Sequence, residues 1–325
     1  MKYFGFLFFT LVGFSSCLKT DSPITLPPKG NGEVMQVDMG DKYNYQIFVS
    51  LAQGKIIHIS EANMYHLAFQ TGANQFGIFI NESNSMQVAR TSKTAFSEVN
   101  SLDTSGNSSQ WRVDLSAGNI DSSAFGNWQK NKEVFIVKPS KENTQFIKFQ
   151  IMDANAVEYK VKMGDLNDPI GTVISIPKSA NQNYTYFSFK TMSVVNNVEP
   201  SNNENWDLHF CVYNHTFYEY NPPLPYSVVG VILNAKGTLA YKDSTQDYNA
   251  IDANFENQIQ YSNKLDVIGY DWKYFDRDKT LYTIVSKYKY LIKNQNGLNF
   301  KLRFIDFYSP TGNKGSPRFE FQSIN

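Results

Sequence analysis

An alternating stretch in the second half of the chain indicates the fold, and it reads Trp206-Asp207-Leu208-His209-Phe210-Cys211-Val212-Tyr213. Side chains along a β-strand point to opposite faces in turn, so every second residue shares a face. The stretch therefore predicts a strand whose core-facing residues are Trp206, Leu208, Phe210 and Val212. The opposite face is expected to carry His209, Cys211 and Tyr213.

The composition of the whole chain favours β-structure in the same way. Aromatic residues make up 15% of the sequence, with 20 Tyr and 25 Phe. They lie in short runs with Val, Ile and Thr, separated by Asn, Gly, Asp and Ser, which is typical of strands and turns. The pattern predicts a hairpin over residues 288–293 and 299–308, followed by a final strand over residues 318–322. The best candidate for a helical or irregular segment is residues 249–263.

A long-period repeat links the two halves of the chain. Residues 43–48 and 184–189 share three aromatic positions, and at the same spacing Tyr65, Leu67 and Phe69 match Trp206, Leu208 and Phe210. Later matches pair residues 77–81 with 230–234, Phe96 with Tyr248, Trp128 with Trp272, and residues 148–151 with 301–304. Such self-similarity predicts two tandem, related antiparallel β domains, at residues 33–167 and 168–325. Each domain is expected to hold its own core.

The first residues predict export from the cytoplasm. A cationic start, Met1-Lys2-Tyr3, precedes an apolar run over residues 4–14 that is too short for a permanent membrane span, so residues 1–16 are predicted to be a signal peptide. Phe14-Ser15-Ser16-Cys17 resembles the bacterial lipoprotein signal, which implies that Cys17 is lipidated and anchors the protein to a membrane. Residues 17–32 contain several Pro and Gly residues and predict a flexible tether.

Composition and missing motifs exclude several function classes. The formal net charge is +0 and the basic residues are scattered, so no nucleic-acid partner is expected. With Cys17 lipidated, Cys211 has no partner for a disulfide and is expected to be a small buried hydrophobe. The chain contains no Gly-x-Ser-x-Gly elbow, zinc helix or phosphate loop, and Asp276-Arg277-Asp278 suits a solvated turn, so the protein is not expected to be an enzyme.

An ordered series of short motifs runs through the second half of the chain. The motifs cover about residues 171–322 and include Phe187-Ser188-Phe189, Asn205-Trp206-Asp207-Leu208, Tyr290-Leu291-Ile292 and residues 301–308. This series resembles the HmuY family, haem-binding surface lipoproteins of Bacteroidetes. The resemblance implies an all-β fold and a lipid-anchored protein at the outer membrane or cell surface. It also implies capture of haem or a related tetrapyrrole for iron acquisition, with haem or a haemoprotein and an outer-membrane haem receptor as partners.

The residues that hold iron in the family cannot be carried over to this chain. Family members take haem between two axial ligands, a His pair or a Met pair. Here residues 273–278, which follow Trp272, contain neither His nor Met, and residues 243–266 contain neither as well. The resemblance therefore implies haem as a cofactor without naming a metal ligand.

Among the four histidines, His215 is the first candidate for a haem ligand. It lies at a predicted strand end between Tyr213 and Tyr218, and an aromatic segment continues to Tyr226, which would give a porphyrin an apolar wall. His209 shares a strand face with Cys211 and Tyr213 at a spacing that a metal could bridge, although a hydrogen-bonded structural histidine is favoured there. His58 and His66 are interpreted as structural. The alternative function is non-enzymatic binding of a glycan or a protein through exposed aromatic residues.

Overall fold

The predicted all-β architecture is confirmed by the computed structural model, which describes residues 32–105, 111–116, 118–141, 145–201 and 205–324. Within these residues the two α-helices, α1 (Trp128–Asn131) and α2 (Ala253–Glu256), are only four residues long. The signal peptide, the lipidation site Cys17 and nearly all of the tether lie outside the described residues, so these expectations stay predictions.

The described residues form 21 strands of very unequal length. In chain order they are β1 (Glu33–Gln36), β2 (Tyr45–Ser50), β3 (Lys55–Glu61), β4 (Leu67–Gln70), β5 (Ile78–Ile80), β6 (Gln87–Arg90), β7 (Trp111–Arg112), β8 (Val134–Lys138), β9 (Ile147–Ala154), β10 (Glu158–Asp165), β11 (Thr172–Pro177), β12 (Tyr184–Ser188), β13 (Ser193–Val195), β14 (Leu208–Phe217), β15 (Leu224–Leu233), β16 (Leu239–Asp243), β17 (Lys273–Asp276), β18 (Leu281–Ile284), β19 (Lys289–Lys293), β20 (Asn299–Tyr308) and β21 (Lys314–Ser323).

These strands form four antiparallel sheets and one separate hairpin. Sheet 1 has the order β1-β21-β20-β19-β16, and sheet 2 has the order β15-β14-β2-β3. Sheet 3 has the order β13-β12-β4-β5, and sheet 4 has the order β11-β10-β9-β8-β6-β7. Strands β17 and β18 pair only with each other.

Two hydrophobic cores hold the sheets together as two β-sandwiches. Core 1 lies between sheets 1 and 2 and contains Val49, Phe210 and Phe319 among its fully buried residues. Core 2 lies between sheets 3 and 4 and contains Phe69 and Phe149. Period-two alternation produces this arrangement because each strand turns one apolar face to its core.

Strands are exchanged between the two halves of the chain. Leu67 of β4 pairs with Phe187 of β12 in sheet 3, and Leu208 of β14 pairs with Val49 of β2 in sheet 2. Strand β1 also pairs with β21, the last strand of the chain. Each core therefore draws on both halves, and the expectation that each half holds its own core is wrong. The domain bounds 33–167 and 168–325 stay a prediction about the repeat, and strand pairing crosses them.

The exchanged pairs also correct the predicted register of the repeat. Leu67 matches Leu208, so their ladder partners Phe187 and Val49 are equivalent. The ungapped match had instead aligned residues 43–48 with 184–189, which is three residues out of register. The error arose because both segments are rich in aromatic residues, and aromatic identity does not record which face a side chain occupies.

Two buried lysines confirm the relationship between the halves. The Lys148 ammonium donates to the carbonyl groups of Phe96 and Val99 at 3.2 and 3.0 Å and lies 4.5 Å from the Phe96 ring centre. The Lys301 ammonium donates to the carbonyl groups of Tyr248 and Ile251 at 3.0 Å each and lies 4.8 Å from the Tyr248 ring centre. The predicted matches of Lys148 with Lys301 and of Phe96 with Tyr248 are therefore structural.

Several local predictions can be compared with the strand bounds. The hairpin of β19 and β20 is confirmed, and its turn places Gly297 at φ +79°, a conformation that glycine adopts without strain. The final strand begins four residues earlier than predicted, at Lys314. Trp206 does not share a face with Leu208, because its ring packs edge-on against Phe48 at 5.0 Å, outside core 1.

Candidate functional site

The hairpin of β14 and β15 carries the histidine that the sequence favoured. Its two strands pair over ten residues, and His215 lies opposite Tyr226 near the turn that connects them. Along the same face of β14, Cys211 and Tyr213 are buried, whereas His215 and Phe217 are half-buried. The strand therefore runs from the interior of the protein to its surface along one line of side chains.

A close approach of two glycines places a third aromatic ring beside this histidine. The Val231 N–H donates to the Gly269 carbonyl at 2.9 Å, and a Cβ on Gly230 would lie 2.3 Å from the same oxygen. Only glycine at position 230 permits this contact. The adjacent Tyr270 ring then lies 4.8 Å from the His215 ring.

A second hairpin, β17 and β18, lies next to the first. The Lys273 ammonium donates to the Val229 carbonyl at 2.6 Å and so ties β17 to β15. Tyr226 raises the pKa of Tyr282 electrostatically, although burial is the larger cause, so these two side chains are neighbours. Tyr282 also packs edge-on against Phe275 at 5.3 Å.

The two hairpins together present an aromatic surface to solvent, which we name the hairpin surface. Its members are His215, Phe217, Tyr220, Tyr226, Tyr270 and Phe275. Tyr226 is 60% exposed and Phe275 is 49% exposed, and Phe217 contacts the rings of Tyr220, Tyr226 and Tyr270 at 6.0–6.3 Å. Monomeric proteins rarely leave large apolar side chains together in water without a partner.

The histidines differ in how their ring nitrogens are used. His58 Nε2 bonds to the Asn197 carbonyl at 2.8 Å, His66 Nδ1 accepts from the Phe189 N–H at 3.2 Å, and His209 Nε2 bonds to Gln46 Oε1 at 3.0 Å. Within the described part of the chain, no group hydrogen-bonds to the His215 ring. His215 is therefore the histidine whose nitrogens are available to a ligand.

A buried lysine lies beneath the hairpin surface. Burial lowers the pKa of Lys273 to about 7, and nearby Asp271 opposes this shift. Its ammonium lies 4.2 Å from the Trp272 ring centre and 4.7 Å from that of Phe307. These contacts fix the start of β17 and so position Phe275, which shares a strand face with Lys273.

The three residues predicted for the site lie in different surroundings. His215 lies within the hairpin surface, Tyr213 is buried at 3% exposure against Cys211 and Val228, and Tyr218 is 68% exposed in the loop after β14. The structure therefore brings His215 together with Tyr270 and Tyr226, whereas Tyr213, two residues earlier on the same strand face, is buried beneath the surface. Sequence reasoning missed Tyr270, because its position depends on the contact between Gly230 and Gly269.

Other candidate chemistry has a structural explanation. His209 stacks on Phe48 with ring centres 4.1 Å apart, and burial lowers its pKa to about 3, so it is a neutral core residue as expected. Cys211 is a free, buried thiol, also as expected. Asp276 accepts from the N–H groups of Asp278 and Lys279, which confirms the predicted turn. No cluster of three or more metal-ligating His, Cys, Asp or Glu residues occurs among the described residues.

A family model described as HmuY protein matches residues 180–321. The second half of this chain is therefore similar to the HmuY family. The suspected resemblance is thereby confirmed, and both hairpins of the hairpin surface lie inside the matched residues. No curated protein matches the chain in sequence.

Three solved structures are similar to this chain at low identity. Apo PinO from Porphyromonas gingivitis is 11% identical, with 91% of this chain and 99% of that chain covered and a TM-score of 0.35. A chain described as a lipoprotein from Bacteroides fragilis is 15% identical, with coverage of 55% and 90% and a TM-score of 0.23. A chain described as an HmuY-like haem-binding protein from Bacteroides vulgatus is 16% identical, with coverage of 42% and 82% and a TM-score of 0.23.

Among the described residues, no helix is both long enough and apolar enough to cross a bilayer.

Proposed function

We propose that this protein binds haem or a related tetrapyrrole at the hairpin surface and serves iron acquisition. The match of residues 180–321 to the HmuY family is the observation that carries this proposal. The resemblance to the family implies haem binding, and the similar chain from Bacteroides vulgatus is described as an HmuY-like haem-binding protein.

The residues of the hairpin surface fit a tetrapyrrole. A porphyrin needs a flat apolar wall and at least one nitrogen, sulfur or oxygen donor for the iron. Tyr226, Tyr270 and Phe275 supply aromatic faces, and the His215 ring is free of hydrogen bonds within the described residues. Arg277 is exposed at the tip of the second hairpin and would supply a cation for the propionate groups.

His215 would hold the iron alone or with a weak second ligand. The positions after Trp272 provide tyrosine, phenylalanine and charged residues and no His or Met. A site with one histidine would be five-coordinate, or six-coordinate with water or a tyrosine as the second ligand. The bound haem should then be high-spin in the ferric state.

The cellular setting of the proposal rests on the N-terminal sequence. Lipidation of Cys17 would anchor the protein to a membrane outside the cytoplasm, with the tether lifting the HmuY-like residues into water. An outer-membrane haem receptor would be a suitable partner for a protein that captures haem there. The role is binding, not catalysis.

A haemin titration tests the proposed function. Purified protein should give a shifted Soret band that saturates at one haem per chain. Weak, non-saturating absorbance changes would refute haem binding. They would favour the second candidate, recognition of a glycan or protein, which the exposed rings of Tyr220, Tyr226 and Tyr274 also suit.

A further inference from the structure

An open cleft lies at one end of the sandwich that encloses core 2. It measures about 640 Å³, which is within the usual range for sites that bind small ligands. The segments around sheet 3 supply His66, Phe189 and Met192 to its walls, and sheet 4 supplies Ile147 and Met163. The cleft therefore opens between the two layers of this sandwich, and it shares no lining residue with the hairpin surface.

Larger side chains occupy the equivalent positions of the other sandwich. The ladders of β9 with β10 and of β20 with β21 have the same register around the two matching buried lysines. Ile147 and Met163 therefore match Phe300 and Phe321, which are both buried in core 1. The smaller side chains leave room that two phenyl rings take up in the sandwich of core 1.

The turn beside the cleft also has an equivalent in the other sandwich. Four residues connect β2 to β3, and four connect β12 to β13. The last residues of these turns, Gly54 and Met192, adopt φ values of +59° and +51°. Glycine takes this conformation without strain, whereas methionine rarely adopts it. The two turns therefore match residue by residue, so Lys190 in the cleft corresponds to Ala52.

His66 presents an unpaired ring N–H at the cleft. Its Nδ1 accepts from the Phe189 N–H at 3.2 Å, in the place where Asp207 accepts from the Leu51 N–H at 2.7 Å. Burial and the charge of Lys190 lower the pKa of His66 to about 4, so the ring is neutral and its proton lies on Nε2. Among the described residues, no group hydrogen-bonds to this Nε2. An acceptor bound in the cleft would pair with it.

Two opposite charges lie at the rim of the cleft. Lys190 is exposed in the β12–β13 turn. Asp165 is exposed and follows Met163 by two residues in β10, so its carboxylate lies on the cleft side of the sheet. Within the described part of the chain, neither charged group has a side-chain partner. The matching residues of the other sandwich are Ala52 and Ser323, which carry no charge.

A further carboxylate in the cleft already has protein partners. Asp168 accepts from the N–H groups of Gly171 and Ile170 at 3.0 and 2.9 Å, and these bonds are the main cause of its lowered pKa. Asp168 is therefore occupied by its own loop. Lys190 and Asp165 are the charges of the cleft that a ligand can pair with.

We propose that this cleft binds a short apolar peptide with free termini. The C-terminal carboxylate of the peptide accepts from the Lys190 ammonium and from His66 Nε2–H. Its N-terminal ammonium pairs with Asp165, and its apolar side chains pack against Ile147 and Met163. A fatty acid is disfavoured, because its single negative charge would leave Asp165 unpaired and repelled.

Isothermal titration calorimetry of the purified protein with leucyl-leucine and leucyl-glycyl-leucine tests the proposal. The two lengths allow for the span between the charged groups. We expect saturable one-to-one binding of at least one of these peptides. Acetylation of its N-terminus or amidation of its C-terminus removes one charge, and each change should weaken binding at least tenfold.

Two variants assign each terminus of the peptide to its partner. Lys190→Gln should bind the free acid and the amide nearly equally, because it removes the charge that distinguishes them. Asp165→Asn should likewise bind the free and the acetylated peptide nearly equally. Lys130→Gln and Asp153→Asn, on exposed residues outside the cleft, should keep the full discrimination.

Three outcomes would overturn the proposal. They are the absence of saturable heat with both peptides, equal binding of the free, acetylated and amidated forms, and unchanged discrimination by both folded variants of the cleft. Circular dichroism establishes whether the variants fold, and if they do not, the comparison of free and capped peptides on the unmodified protein still decides. The haemin titration is independent of each of these results.

Discussion

Lys148 and Lys301 occupy equivalent positions in the two β-sandwiches. Lys148 is buried in β9, and Lys301 is buried in β20. Each ammonium group donates to carbonyl groups of a 3₁₀ turn. Buried carbonyl groups that lose a donor cost about 1–3 kcal/mol each. The two lysines should therefore stabilise the two sandwiches in the same way, and substituting each of them tests the repeat directly.

Replacing either lysine by methionine should destabilise the protein. Lys148→Met and Lys301→Met should each lower the free energy of unfolding by about 2–4 kcal/mol, because the aliphatic stem is kept and the donors are lost. Urea denaturation followed by circular dichroism measures the effect. Lys130→Met, on an exposed lysine of α1, is the control. Equal stability of all three variants would contradict the structural role of the buried pair.

Strand exchange predicts that the halves of the chain depend on each other. A fragment of residues 168–325 keeps β12 and β14 and loses their partners β4 and β2. Fragments 32–167 and 168–325 should therefore lack cooperative thermal unfolding when separate and regain it when refolded together. Circular dichroism melts of each fragment and of the mixture decide this. A cooperative melt of residues 168–325 alone would refute the expectation.

Buried Glu199 makes the stability of the protein depend on pH. Its pKa is raised by burial from 4.5 to about 7, so the folded state keeps a proton that the unfolded chain has lost between those values. Stability from this group is complete below about pH 4 and falls as pH rises towards 7.

The Glu199→Gln variant should lose this dependence. Between pH 5 and pH 8 the wild type should lose stability relative to the variant, by on the order of 3 kcal/mol at most. Urea unfolding of both proteins at each pH measures the difference, and Glu98→Gln is the matched control on an exposed glutamate. A constant difference across this range would show that Glu199 is ionised in the folded protein.

The proposed anchor can be tested in cells. Cys17→Ala removes the thiol that would accept lipid, so the variant should incorporate no labelled fatty acid and should leave the membrane fraction. Metabolic labelling with a radioactive fatty acid, followed by fractionation, provides the measurement. Equal labelling of the wild type and the variant would end the lipoprotein interpretation.

Local sequence patterns predicted the class of fold and the repeat. Alternation placed Leu208 and Phe210 in a core, and both are fully buried in core 1. The match of Phe96 with Tyr248 was also correct, because both rings cover an equivalent buried lysine. Alternation records which face a residue occupies, and this information survives in a single sequence.

Local alternation could not predict which strands pair or which residues meet at the candidate site. Nothing local in Leu67 or Leu208 shows that their partners lie in the opposite half of the chain. The contact between Tyr270 and His215 likewise depends on two glycines that are 39 residues apart in sequence, Gly230 and Gly269. Long-range pairing is set by the summed burial of whole sheets, which no short motif encodes.

The most direct test of haem capture at the hairpin surface is a haemin titration of His215→Ala beside the wild type and His58→Ala. We predict a saturable, high-spin ferric spectrum for the wild type and for His58→Ala. His215→Ala should bind at least tenfold more weakly and lose that spectrum, because the ring nitrogen that would hold the iron is gone. Unchanged affinity and an unchanged spectrum in His215→Ala would contradict the account and remove this residue from the site.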